Sequence, residues 1–267
     1  GDKGAVLLTI KVANCGSGQT TFVNNATATG TSPGGTTVTD NSVNGSDPDG
    51  SDGDNNPDEA SGTPVSFIQN PVLGVAKRNV QTVLNADGSA DVTFEFNLEN
   101  FGNVNLNNLT LTDNLATTFP STCAVSVLSL TSDDFIVNPA FNGTGNNNLL
   151  AAGNDIPVGD KGALLLTIKV ANCGAGQTSF VNNASATGTS PGGTTVTDNS
   201  VNGSDPDGSD GDNNPDEASA TPVSFIQNPV LGLSKRLSNG PVLLPDNSYE
   251  LRYEIKVFNL GNVTLSN

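Results

Sequence analysis

Two identical acidic segments contain the side chains whose types and spacing best suit a defined chemistry, the binding of a cation. The segments span residues 44–59 and 202–217, and each places six carboxylates within 13 residues. Carboxylates this close repel one another unless a cation lies between them. Calcium fits such a segment because it takes about six to eight oxygen ligands from carboxylates, amide carbonyls and the backbone. The predicted ligands are Asp47, Asp49, Asp52, Asp54, Asp58 and Glu59 in the first segment, and Asp205, Asp207, Asp210, Asp212, Asp216 and Glu217 in the second.

The spacing within each segment favours a loop that wraps around an ion. Asp205 and Asp207 alternate, and Gly208 and Gly211 permit the tight turns that such a loop needs. The pattern differs from that of an EF-hand and is closer to the Asp-rich calcium loops of thrombospondin-like and bacterial surface repeats. The alternative is an acidic, solvated linker that confers solubility, and both interpretations fit the residues.

The sequence around these segments repeats with a period of 158 residues. Residues 1–78 return as residues 159–236 with seven conservative differences. A repeat this long and uniform indicates a tandem array of whole domains. The differing pairs are Val6/Leu164, Ser17/Ala175, Thr21/Ser179, Thr27/Ser185, Gly62/Ala220, Val75/Leu233 and Ala76/Ser234.

The repeat predicts one complete module at residues 71–228. Residues 1–70 then form the C-terminal part of a preceding module, and residues 229–267 form the N-terminal part of a following one. No signal peptide or transmembrane run is recognisable in the sequence. We therefore expect the chain to be a stretch of a longer protein or of a filament.

The three cysteines can be assigned with the help of the repeat. Cys15 and Cys173 are equivalent positions, and the equivalent of Cys123 would precede residue 1. We predict a Cys123–Cys173 disulfide, whose loop of about 50 residues stabilises the fold by roughly 4 kcal/mol, and a partner for Cys15 outside this stretch. The alternative is two free buried thiols in each module. A disulfide would indicate an oxidising compartment outside the cytosol.

Hydrophobic alternation predicts an all-β protein. Apolar and polar residues alternate with a period of two across residues 92–98, 125–127 and 166–170, and residues 180–188 and 194–201 are predicted as further strands. Turn-forming Gly, Asn and Pro separate these stretches. Short strands with one polar face favour immunoglobulin-like β-sandwich modules with a thin core. We expect the excess length of the module to lie in the acidic loop and in residues 141–155.

Composition argues against catalysis and against two classes of partner. The chain has no His, so Ser or Cys nucleophiles lack an imidazole base, and we expect no enzyme activity. The net charge of −17 disfavours nucleic acid and anionic lipid, and no membrane insertion is expected in this stretch. A spontaneous Lys–Asn isopeptide bond is conceivable at Lys169, although a solvent-facing lysine on an alternating strand is the simpler interpretation.

Residues 98–115 contain the pattern Asn100-Phe101-Gly102-Asn103, an alternating Val/Leu/Thr stretch and Asp113-Asn114-Leu115. This pattern resembles the conserved-repeat domain of bacterial surface proteins (domain of unknown function eleven), and residues 180–188 resemble the closing strand of that family. The usual Pro after the Asp-x-Leu motif is replaced by Ala116. The resemblance implies an immunoglobulin-like sandwich, tandem modules on secreted or cell-wall proteins, and stalk, adhesin or fibre roles without catalytic residues.

These observations predict a structural module of an extracellular bacterial surface fibre or stalk, locked by a disulfide and stiffened by Ca²⁺. The acidic loop precedes residues 221–232, which cross the module boundary, so that a bound ion would rigidify the junction. The expected partners are neighbouring identical modules of the same chain or filament, and lateral association of chains is a further possibility. The alternatives are an adhesin for a glycan or host protein and a subunit of a strand-exchanging filament.

Overall fold

The computed structural model describes residues 3–12, 21–50, 52–173 and 179–266 and, within them, almost only β-structure. This confirms the predicted all-β class. In chain order the elements are β1 (Thr21–Asn24), β2 (Thr27–Thr31), β3 (Thr37–Asn41), β4 (Thr63–Ser66), β5 (Leu73–Leu84), β6 (Ala90–Asn100), β7 (Leu106–Asp113), α1 (Leu115–Thr118), β8 (Ala124–Thr131), β9 (Asp155–Ile156), β10 (Lys161–Ala171), β11 (Ser179–Asn182), β12 (Ala184–Thr189), β13 (Thr195–Asn199), β14 (Val201–Asn202), β15 (Thr221–Ser224), β16 (Leu231–Leu243) and β17 (Tyr249–Asn259).

Two sheets pack face to face between residues 73 and 202. One has the order β14-β5-β6-β10-β8 and the other the order β13-β12-β7-β9. All pairs within them are antiparallel except β14 with β5, which is parallel. Every second residue of β6 and β10 is buried, as alternation requires of strands with one face on a core. The inward residues of β6 are Ala90, Val92, Phe94, Phe96 and Leu98.

A disulfide joins Cys123, which precedes β8, to Cys173, which follows β10. The predicted pairing is present, and the alternative of two free thiols is wrong for this module. The bridge spans 50 positions of sequence and links the ends of two strands that are hydrogen-bonded neighbours. Cys15 lies outside the described residues.

Residues 21–66 and 231–259 contain the same strands as the sandwich, displaced by the period of the sequence. The pairs β1–β4 and β2–β3 correspond to β11–β15 and β12–β13, and the hairpin β16–β17 corresponds to β5–β6. Their apolar side chains are exposed. Leu233 in β16 is 71% exposed, whereas its equivalent Val75 in β5 is 0% exposed. The same local sequence therefore forms the same strands whether or not a core covers them.

Candidate functional site

The second acidic segment, residues 202–217, folds into a compact loop through hydrogen bonds from its own backbone. The backbone N–H of Asp207 donates to Asp205 Oδ1 (3.2 Å), and that of Asn213 donates to Asp207 Oδ2 (2.9 Å). Gly208 and Gly211 have φ values of +71° and +69°, which side chains with a Cβ rarely adopt. The glycines therefore supply the turns that the sequence predicted for them.

Three carboxylates of this loop converge on one point. Asp207, Asp210 and Asp212 each place an oxygen within 4.8 Å of the others. Asp207 is only 5% exposed, and its Oδ1 has no hydrogen-bond partner. A buried carboxylate oxygen without a partner is unfavourable, and a cation between the three groups would remove that cost. Carboxylate oxygens are ligands that hard cations such as Ca²⁺ and Mg²⁺ take.

Glu217 lies on the other side of the same turn. Its Oε2 is buried without a hydrogen-bond partner, and a Cβ on Gly208 would lie 2.7 Å from that atom. Burial raises the pKa of Glu217, and the nearby Asp210 and Asp216 raise it further. The remaining two predicted ligands make local contacts instead, since Asp205 caps the turn at Asp207 and Asp216 Oδ2 accepts from Asn214 Nδ2 (2.9 Å).

The first acidic segment repeats this geometry. Asp49, Asp52 and Asp54 converge within 4.8 Å, and Asp49 Oδ1 and Glu59 Oε2 are again buried without partners. The corresponding local hydrogen bonds reach Asp47 (from the N–H of Asp49, 3.2 Å) and Asp58 (from the side chain of Asn56, 2.8 Å). A backbone hydrogen bond lowers the pKa of Glu59, but burial and the neighbouring Asp52 outweigh it and raise that pKa.

The two loops differ in what lies beneath them. Asn97 Nδ2 in β6 donates to the Ser204 carbonyl (2.9 Å), which attaches the second loop to the sandwich. Pro206 and Pro215 lie against Gly74 of β5, where an added Cβ would come within 3.0 Å of both prolines. These contacts bury Asp207, whereas Asp49 in the first loop is half-buried. A cation bound at the second loop would therefore contact side chains that the sandwich holds in place.

Asn103 forms hydrogen bonds with two residues of the segment that leads into the sandwich. Asn103 Oδ1 accepts from the Asn70 N–H (2.7 Å), Asn103 Nδ2 donates to the Ile68 carbonyl (3.1 Å), and the Asn103 N–H donates to the Asn70 carbonyl (3.0 Å). We call these three bonds the junction clamp. Asn262 makes the same three bonds to residues 226–228, at 2.6, 3.0 and 3.2 Å.

Gly102 allows the chain to approach this clamp closely. A Cβ at that position would lie 2.5 Å from the Asn70 carbonyl oxygen and 2.6 Å from the Val72 nitrogen, so only glycine fits. Asn100 fixes the turn, because its Oδ1 accepts from the Gly102 N–H and its Nδ2 donates to the Val104 and Ile156 carbonyls. The Asn-x-Gly-Asn pattern thus has a physical role that sequence analysis did not assign, namely holding the module entry.

A fully buried lysine is the feature that sequence analysis missed. Lys77 in β5, Asp113 at the end of β7 and Asn182 at the end of β11 are each 0% exposed. Lys77 Nζ lies 2.8 Å from Asp113 Oδ2, and Asn182 Nδ2 donates to the same oxygen at 3.2 Å. The Phe94 and Phe96 ring centroids lie 4.4 and 4.9 Å from Nζ. Removal from water lowers the pKa of Lys77 to about 8, although Asp113 opposes this effect.

The lysine that the sequence singled out lies elsewhere. The Lys169 side chain is 38% exposed and its Nζ is 3.8 Å from Asp87 Oδ2, which fits the solvent-facing interpretation and not an isopeptide site. A usable signal was present at Lys77, because it shares the strand phase of Leu73 and Val75, which are buried. A lysine in phase with core residues must be buried, whereas Lys169 is out of phase with Ile168 and Val170.

No protein-family model matches the chain, and comparison with curated proteins gives no match. Among solved structures, a variant of the major pilin subunit of Bacillus cereus is similar, with 9% identity, a TM-score of 0.32, and coverage of 77% of this chain and 66% of that one. The full-length major pilin of Corynebacterium diphtheriae gives 14% identity, a TM-score of 0.29, and coverage of 68% and 50%. The chain thus spans less than two thirds of either protein, and similarity at this level does not indicate a shared function.

Across the described ranges, no helix is both long enough and apolar enough to cross a bilayer.

Proposed function

We propose that this chain is a structural stretch of an extracellular bacterial surface fibre or stalk, built from consecutive β-sandwich modules. The observation that carries the proposal is the junction clamp, which has the same three hydrogen bonds before and after the sandwich. Entry and exit segments that are held alike give each module the same relation to its neighbour. Tandem modules joined in this way extend with a regular spacing.

Two further features support an extracellular role. The Cys123–Cys173 disulfide is typical of oxidising compartments. The chain has 27 acidic and only 10 basic residues, a balance that favours solubility over binding to nucleic acid or anionic lipid. We ascribe no catalytic turnover to the protein, which has no His to serve as a general base.

Calcium is the cofactor that we propose for the acidic loops. The buried, unpartnered Oδ1 of Asp207 and Oε2 of Glu217 support a cation at the second loop. The loop ends at residue 217 and β15 follows at Thr221, shortly before the exit segment. A bound ion would therefore fix the segment that leads out of the sandwich, and sites of extracellular modules typically have a Kd of about 10⁻⁴–10⁻³ M.

A chain lengthened by one further 158-residue module, with both present flanking segments kept, tests the fibre proposal. Small-angle X-ray scattering should give a maximum dimension that grows by one module length relative to the present chain, and Ca²⁺ should narrow the distribution of dimensions. Replacing both Asn103 and Asn262 by Ala should broaden that distribution without changing the circular dichroism spectrum. A compact particle with no added length would contradict a stalk.

Separate subunits that complete one another are a second candidate for assembly. The exposed apolar residues of β16 and β17, among them Leu233, Ile255 and Val257, favour it because such faces are normally covered. Light scattering of the present chain distinguishes the two, since subunit exchange would give concentration-dependent oligomers and a single-chain stalk would give monomers.

A further inference from the structure

The buried lysine, carboxylate and carboxamide form one hydrogen-bonded cluster between segments that are remote in sequence. Lys77 Nζ and Asn182 Nδ2 both contact Asp113 Oδ2, and Thr118 Oγ1 donates to Asn182 Oδ1 at 2.7 Å. The carboxamide is therefore oriented with its NH₂ group on the acid and its carbonyl oxygen on a hydroxyl. That orientation places the potential leaving group beside the carboxyl group that could relay a proton to it, and it polarises the carbonyl carbon.

A static ion pair explains this cluster poorly. Two charges without water lose their hydration, and replacing such a pair by apolar residues is often neutral or stabilising. Asp113 Oδ1 has no hydrogen-bond partner, so the carboxylate is incompletely satisfied. The Phe94 and Phe96 rings beside Nζ offer it no hydrogen-bond acceptor. Burial lowers the pKa of Lys77, so that transfer of its proton to Asp113 would give a neutral amine able to attack a carbonyl carbon.

We propose that Lys77 and Asn182 join in an intramolecular isopeptide bond, with Asp113 transferring the protons. The neutral Lys77 Nζ attacks Cγ of Asn182, and the new Nζ–Cγ bond gives a tetrahedral carbon whose oxygen is held by Thr118 Oγ1. Asp113 gives its proton to Nδ2 and takes one from Nζ. The Cγ–Nδ2 bond then breaks and ammonia leaves. One amine and one carboxamide thus become one amide and one ammonia, with Asp113 protonated before and after, and the reaction needs no oxidant or cofactor.

The bond would link β5 with β11, one strand next to the entry segment and one strand paired with the last strand before the exit segment. Tension along a fibre would act on these two segments first. β5 is the first strand after the entry segment, and β11 is hydrogen-bonded to β15, the last strand before the exit segment. A covalent link from Lys77 to Asn182 would carry force across the sandwich and shield the strands between them. The Cys123–Cys173 bridge lies within that shielded stretch, so that the two cross-links would be nested.

The repeat provides matched control residues for the test. Asn24 is the equivalent of Asn182, and Lys235 is the equivalent of Lys77, but both are exposed. Lys235 Nζ lies over the Tyr253 ring at 4.0 Å. Neither residue belongs to a cluster of the kind described for Lys77, so within the ranges that the structure describes we expect one isopeptide bond.

The test is the mass of the purified, reduced 267-residue chain. The wild type should be lighter than its sequence mass by one ammonia, and a protease digest should contain one branched peptide that includes both Lys77 and Asn182. Lys77→Arg, Asn182→Ala and Asp113→Ala should each have the full sequence mass. Lys235→Arg and Asn24→Ala should lose ammonia as the wild type does. An unchanged wild-type mass would overturn the proposal, whether or not the variants fold.

Two other results would also overturn it. Loss of a water instead of ammonia would indicate an amide between Lys77 and Asp113, and Asn182 would then not be the partner. Loss of ammonia that persists in Lys77→Arg would indicate a succinimide at an Asn-Gly pair such as Asn142-Gly143. The branched peptide distinguishes these cases directly, because a succinimide joins no two segments.

Discussion

The acidic loops and the buried Lys77 cluster bring metal-binding and reactive side chains together in opposite ways. The loop assembles its carboxylates from 13 consecutive residues, and it has the same hydrogen bonds in both copies, with and without a sandwich beneath it. The cluster assembles residues that are 36 and 69 positions apart. Its repeat equivalents Asn24 and Lys235 are exposed, and the positions equivalent to Asp113 fall outside residues 1–267.

This contrast shows which chemistry a short sequence motif can specify. Spacing alone brings Asp207, Asp210 and Asp212 together, since turns at Gly208 and Gly211 act within the same loop. No spacing brings Lys77 and Asn182 to Asp113, because the three residues lie on β5, β11 and β7, which belong to three different sheets. A local site is therefore present in every copy of its motif, and a long-range site is present only in a complete sandwich.

The largest effect should follow from breaking the long-range cluster. Asp113→Ala would leave a buried lysine without its counter-ion and prevent the proposed bond, and we expect a loss of about 3–5 kcal/mol in the free energy of unfolding. Lys235→Ala should change it by less than about 0.5 kcal/mol, since that exposed lysine is outside the core. Urea denaturation followed by circular dichroism measures both. Equal losses of unfolding free energy in the two variants would contradict the proposed difference between the buried cluster and the exposed Lys235.

The pH dependence of stability should reveal the chemical state of Lys77. In Asn182→Ala, where the bond cannot form, we expect buried Lys77 to keep the pKa of about 8 that its removal from water gives it, below the ordinary value of 10.5. The unfolded chain then binds more protons than the folded one between these values, so stability rises with pH across that interval and the gain is absent below it. The rise should approach about 3 kcal/mol, at about 1.4 kcal/mol for each pH unit.

The wild type should lack this rise, because an amide nitrogen does not titrate. Denaturation of both proteins at several alkaline pH values makes the comparison, and Lys77→Met in the Asn182→Ala background serves as the control that lacks the titrating amine. A rise of the same size in wild type and variant would mean that Lys77 remains a free amine.

The fold was predictable where burial follows a simple period, and less so elsewhere. Alternation predicted the central parts of β6, β8 and β10 correctly, and the repeat indicated how the cysteines pair. Residues 180–188, predicted as one strand, form two strands that belong to different sheets. The Asn/Gly stretch at residues 141–155 covers one end of the core with Leu149 and Leu150. Hydrogen bonds from backbone amides to Asn142 Oδ1 shape it, and no period reveals such local turns.

The candidate sites, like the fold, could be predicted from the sequence only in part. The sequence proposed all six carboxylates of each loop as ligands, but it could not select those that converge, because selection depends on the turn at Gly208. It also could not reveal which acid and amide meet Lys77. The phase of β5 predicts that this lysine is buried, whereas its partners depend on where β7 and β11 end in the folded sandwich.

Calcium should distinguish the two acidic loops, although their sequences are identical. Ca²⁺ at 100 times its Kd would stabilise the sandwich by about 2.7 kcal/mol if it binds only the folded loop. Asp207→Asn should remove most of that gain, because Asp207 is buried against the sandwich, whereas Asp49→Asn should leave it nearly unchanged. Thermal unfolding with Ca²⁺ and with a chelator measures the effect. A melting temperature that does not respond to Ca²⁺ would leave the loops as solvated acidic linkers.

The junction clamp is intermediate between the acidic loops and the Lys77 cluster. It joins residues 33 positions apart, as a long-range site does, and yet it occurs at both junctions, as a local site does. Its partners lie in the segment before β5 and in the loop after β6, two strands that pair with each other, and they need only the turn around Gly102, not a complete core. Asn103→Ala should therefore cost about 0.5–1.5 kcal/mol locally for each lost hydrogen bond, because water can solvate the exposed groups that lose their partners, with little change in global unfolding. Amide hydrogen exchange should quicken at Asn70 in that variant and at Asn228 in Asn262→Ala. If Asn262→Ala also quickened exchange throughout β6, the clamp would be part of the core network and not an independent device at the junction.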